Sequence, residues 1–131
     1  MNDDDFWQAF RDCSISPVQF RHRDHLHLTW LLVRRHGPER AGVAVSSGLR
    51  HFAALHGQSG KYHETLTQFW VRLVAHMVSA RPEVAEFEGF MEAFPQVLDK
   101  NLPYRHWRRE TIGGAAARAA WIDPDLLALP R

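Results

Sequence analysis

Apolar residues in this chain recur three and four apart, and no clean alternating stretch of β-branched and aromatic residues breaks that pattern. A chain patterned this way buries stripes rather than sheet faces, so the expected fold is all-α. Punctuation divides the pattern. Asp3, Asp4 and Asp5 suit the start of a first helix reaching about Asp12, with Phe6, Trp7 and Phe10 on one face. A second helix is predicted from near Phe20 to His36, where Gly37-Pro38 stops it. Pro38 opens a third, running to about His56 before Gly57. A fourth spans about His63 to Ala80, and a fifth about Glu83 to Phe94. Beyond Pro95 the chain reads as irregular with a short helix, and Pro124 to Pro130 as an extended strap across the bundle. With 131 residues and no linker, the expectation is one domain over 1–131, a compact bundle of four to five helices with an extended C-terminal tail.

Composition narrows the function. Sixteen Lys and Arg against 15 Asp and Glu leave a net charge of +1, which argues against a strongly basic nucleic-acid binder. One cysteine, Cys13, excludes a disulfide framework and a cysteine-based zinc motif. The acidic start, the short apolar runs and the lone thiol predict a cytoplasmic protein that does not enter the membrane. Histidine is the unusual residue, with nine copies.

Helical geometry sorts those nine. On the second helix, Leu26, Trp30, Val33 and His25 all fall within about 80° of His22. His22 and His25 thus share the apolar face, one turn apart. His27 falls on the polar face and is expected at the surface. On the fourth helix, Leu66, Trp70, Leu73, Val74 and Met77 surround the direction of His63, which marks the centre of a buried stripe. His36 and His56 suit helix C-termini, where a cation is favoured. Face arithmetic does not assign His51, His76 or His106.

His22, His25 and His63 therefore face inward near helix starts. Three imidazoles with open coordination positions suit Zn, Fe, Cu or Ni. The expected function is a small metal-dependent enzyme, a hydrolase or oxygenase. It would activate water or O₂ toward a small organic substrate held beside Trp30 and Trp70. The competing reading is a non-catalytic interaction module in which the same histidines form a hydrogen-bonded structural network. His22-x-x-His25 lacks the glutamate of a zincin motif, and no Glu-x-x-His pair of the di-iron type occurs.

Three stretches carry a family resemblance: Phe20 to Leu26, Lys61 to Thr67, and Ala117 to Leu126. Their patterns, F-x-H-x-x-H-L, K-Y-H-E-T-x-T and A-R-x-x-W-x-x-P-D-L, resemble an uncharacterised family of small bacterial proteins. The family's motif histidines correspond to His22, His25 and His63. The resemblance also draws attention to Tyr62, Glu64, Thr65 and Asp99. This chain departs from the family pattern after Asp99, where that pattern carries a Tyr-Ser pair near Trp107-Arg108 and a Ser near Gly113.

Glu64 reads either as a general base or orienter beside the metal or as a first-turn carboxylate favoured by the helix dipole. Tyr62 reads as a hydrogen-bond donor to substrate or as a loop anchor. Asp99 reads as a carboxylate metal ligand or as the cap of the turn before Pro103. The run Arg105 to Arg109 reads as a solvated face rather than a nucleic-acid contact. Cys13 reads as a buried structural thiol.

Overall fold

The computed structural model describes residues 2–130, and among them every regular element is helical. The α-helices are α1 (Asp3–Arg11), α2 (His22–His36), α3 (Pro38–Leu55), α4 (Glu64–Ala80), α5 (Phe87–Ala93), α6 (Arg109–Ile112) and α7 (Ala115–Ala119). The first five answer to the five expected helices. The region after Pro95 is more structured than expected, with two 3₁₀ turns and the short α6 and α7. Helices α2, α3 and α4 pack on one another, α1 lies on α3, α5 on α2 and α7 on α4. Among the described residues, no helix is long and apolar enough to cross a membrane.

The helix ends follow local chemistry. Asn2 accepts the Asp5 N–H at 2.8 Å and starts α1, a cap worth about 1 kcal/mol. Gly37, at φ 82°, closes α2 and opens α3 at once, with Pro38 as the first residue of α3. α2 begins at His22, two residues later than the pattern predicts. The cause is Asp24, whose carboxylate reaches back to the Arg21 N–H at 3.0 Å and holds Arg21 extended. Phe20 is thereby freed to drop into the core, 5.3 Å from the ring of Phe10 and 5.2 Å from that of Phe52. α5 also starts late, at Phe87, because the Arg34 guanidinium binds the carbonyls of Pro82 and Val84 and keeps that stretch out of the helix.

One glycine fixes a crossing. A Cβ on Gly48 would sit 2.8 Å from the Phe10 ring, so α1 can approach α3 this closely only over a glycine. Around that crossing runs one hydrophobic core that includes Trp30, Phe69, Phe90 and Trp107. Each fully buried side chain of this kind contributes roughly 1.5–3 kcal/mol.

His27 is not a surface residue. Its ring stacks between Phe6, at 4.3 Å, and Phe87, at 4.7 Å, and its Nε2 meets Asp3 at 2.8 Å. α1 and α5 cover the flank of α2 that an isolated helix would show to water. The basic run is likewise divided. Arg105, Arg108 and Arg109 are exposed, but His106 and Trp107 are buried. These two hold the C-terminal strap. His106 bonds the Leu127 carbonyl through Nδ1 at 2.8 Å, and Trp107 donates to the Ile122 carbonyl at 2.9 Å. Cys13 is buried, as expected, and closes α1 in a left-handed conformation.

Candidate functional site

The first turns of α2 and α4 and the C-terminal half of α3 border a cavity of about 430 Å³ that is open to solvent on one side. His22, His25 and His63 all line it. The inward helical faces thus carry all three to one cavity. Their nitrogen atoms, however, are committed differently.

His63 is the N-cap of α4, not part of its interior. Its Nδ1 accepts the Leu66 N–H at 3.1 Å, and its Nε2 donates to the Ile112 carbonyl at 2.7 Å. Those two partners select the neutral tautomer with the proton on Nε2. Burial, above all, holds its pKa below the usual histidine value. With both nitrogens engaged, the ring offers no lone pair to a metal. His22 donates from Nε2 to the Val97 carbonyl at 2.8 Å, and its ring meets Trp70 edge-on at 4.7 Å. Its Nδ1 has no hydrogen-bond partner among the described residues. His25 makes no hydrogen bond through either nitrogen with the described residues, and its ring packs 4.3 Å from Phe20. Protein surrounds it on most sides, while part of its surface opens into the cavity. Burial lowers its pKa to about 4, helped by the neighbouring His22 and opposed by Asp24. It is a neutral imidazole at pH 7. Among the described residues, no group of three or more His, Cys, Asp or Glu side chains is placed to hold a metal ion.

The carboxylates lie elsewhere. Glu64 turns away from the histidines into a separate open groove between α3 and α4, beside Ser46 and Arg72. There it accepts hydrogen bonds from the hydroxyls of Tyr62 and Ser46, the latter at 3.1 Å. Tyr62 lines the histidine cavity, yet its hydroxyl points to Glu64 and Ser46, and Arg50 lies 4.3 Å over its ring. Burial and then the Glu64 carboxylate raise its pKa. Asp99 is exposed, does not line the cavity, and accepts the Asn101 N–H at 3.0 Å, which is the turn-capping role.

The rest of the K-Y-H-E-T-x-T stretch also makes structural bonds. Thr65, fully buried, donates to the Ala120 carbonyl at 2.9 Å and accepts the Ile122 N–H at 3.2 Å. Arg118 returns the link, donating to the carbonyls of Gly60 and Tyr62. Two of the three motif stretches thus latch to each other, and the latch sets the wall of the cavity.

Two charged lining residues lie beyond the reach of helical faces. Lys61 precedes α4 and Lys100 lies in the turn after the Pro95–Leu98 3₁₀ helix, and both reach the cavity from outside any long helix. Helical periodicity carries no information about such positions. The adjacency of Lys61 to the Tyr62-His63 pair was the one available signal. Comparison with protein-family models, with curated proteins and with solved structures finds no match for this chain.

Proposed function

We propose that this protein binds a small organic molecule in the histidine cavity and exchanges a proton with it through His25, with His22 alongside. The observation that carries the reading is His25 itself. Its ring nitrogens have no hydrogen-bond partner among the described residues and are not sealed from solvent, and the ring lines a cavity large enough for a small ligand. Phe20, Leu49, Phe52, Leu66 and Trp70 supply apolar walls. Free nitrogens on His22 and His25 supply the few polar contacts that orient a ligand. His63 serves this reading as scaffold: it caps α4 and fixes the cavity wall. The reading differs from a three-histidine metal enzyme in needing only two available imidazoles. It differs from a purely structural network in giving those two a ligand.

The test is a ligand-observed NMR screen of small aromatic fragments, followed by the ring signals of His25 and Trp70. Fragments that bind should move both signals, and the His25 ring-nitrogen shifts should report protonation when the fragment carries an acidic proton. His25→Gln should abolish the protonation signal. Failure of every fragment to perturb His25 or Trp70 overturns the reading. So does one equivalent of Zn, Fe, Cu or Ni in elemental analysis of the native protein, lost in His25→Gln, which would restore metal-dependent chemistry.

A further inference from the structure

Charge around the cavity is one-sided. Lys61 and Lys100 line it from two separate segments, and no Asp or Glu is among its lining residues. Neither ammonium is paired with a carboxylate among the described residues. Three carboxylates next to lining residues are engaged elsewhere: Asp24 with the Arg21 N–H, Asp99 with the Asn101 N–H and Glu64 with the Tyr62 and Ser46 hydroxyls. The first turns of two long helices, α2 and α4, also face the cavity, each with its own carboxylate, Asp24 and Glu64, already at the helix start. The remaining wall is mostly apolar and aromatic.

We propose that the ligand of this cavity is a small organic carboxylate, its anionic end toward Lys61 and Lys100 and its apolar body against Phe20, Phe52 and Trp70. This rests on the small-molecule reading above and narrows it to a substrate class. A polyphosphate or nucleic acid is a poorer fit, because apolar walls dominate and the chain as a whole carries a charge of only +1. An anion in the cavity would also meet His25, whose neutral ring keeps one N–H to donate.

Isothermal titration calorimetry with naphthalene-2-carboxylate and naphthalene-2-carboxamide tests this, since the two probes share a shape and differ in charge. The carboxylate should bind about tenfold more tightly than the amide, as two solvent-exposed ion pairs allow. The double variant Lys61→Gln/Lys100→Gln should bind the amide as before and lose the preference. Both lysines are exposed, so the variant should keep its fold. Equal affinity for the two probes overturns the anion assignment and leaves the small-molecule reading standing. A preference that survives in the double variant overturns the role of the lysines. Absence of binding by either probe at millimolar concentration overturns both the assignment and the reading beneath it.

Discussion

His63 Nε2 donates to the carbonyl of Ile112 at 2.7 Å, across 49 positions of sequence. The same ring caps α4 through Leu66. His63→Ala removes both bonds and leaves a buried carbonyl without its donor. The expected cost is about 2–3 kcal/mol in urea unfolding. His63→Asn can cap the helix but is too short to replace the ring, and should recover about 1 kcal/mol of that loss. A loss below 0.5 kcal/mol, on the order of a neutral surface change, in His63→Ala would contradict the structural role.

Thr65 gives a second measure of the latch. Thr65→Val preserves shape but leaves the Ala120 carbonyl and the Ile122 N–H unpaired. Stability should fall by about 1–3 kcal/mol. Amide exchange over residues 120–129 should accelerate more than exchange in α2. Uniform acceleration across the chain would show that the strap does not open on its own.

Acid should destabilise the fold through His25. Its pKa is 6.5 in the reference state and about 4 when folded. Between those values the unfolded chain binds the proton and the folded chain does not, so stability rises with pH. The contribution is intact above pH 6.5, is lost as pH falls toward 4, and flattens below that. His63 shifts in the same direction. The difference in pKa corresponds to about 3 kcal/mol. Urea midpoints measured across this window should drop in the native protein and drop less in His25→Gln. A flat profile in the native protein would show that His25 is protonated when folded.

Trp30 Nε1 is buried without a hydrogen-bond partner among the described residues, although the side chain is only 2% exposed. Trp30→Phe gives up some packing but removes that unpaired donor, so its net cost should stay under about 1.5 kcal/mol. Trp30→Ala should cost about 3–5 kcal/mol. Thermal unfolding of the pair checks this, and near-equal losses would mean that the indole N–H contributes stability.

Much of the architecture is local and therefore legible. The apolar period, Gly37-Pro38 and Gly57 delimit α2 and α3 because helix stops are set by residues that cannot continue the ladder. The same period turned His22, His25 and His63 inward, and the fold gathers them at one cavity. His27 went the other way. Its exposure depends on Phe6 and Phe87, which belong to helices docked on either side of it. Glu64 and Asp99 carry the right chemistry for a site, yet bonds to Tyr62 and Asn101 draw them elsewhere.

The sequence by itself determined an all-helical chain, its principal breaks and the faces on which its histidines lie, because these follow from residue spacing within single elements. The tertiary structure decided what each histidine does there. Ile112 and Val97 come from distant turns and engage one nitrogen of His63 and one of His22, while nothing among the described residues reaches those of His25. Hydrogen-bond partners supplied by remote backbone leave no trace in helical periodicity. They nonetheless determine whether an inward imidazole is scaffold or is free to meet a ligand.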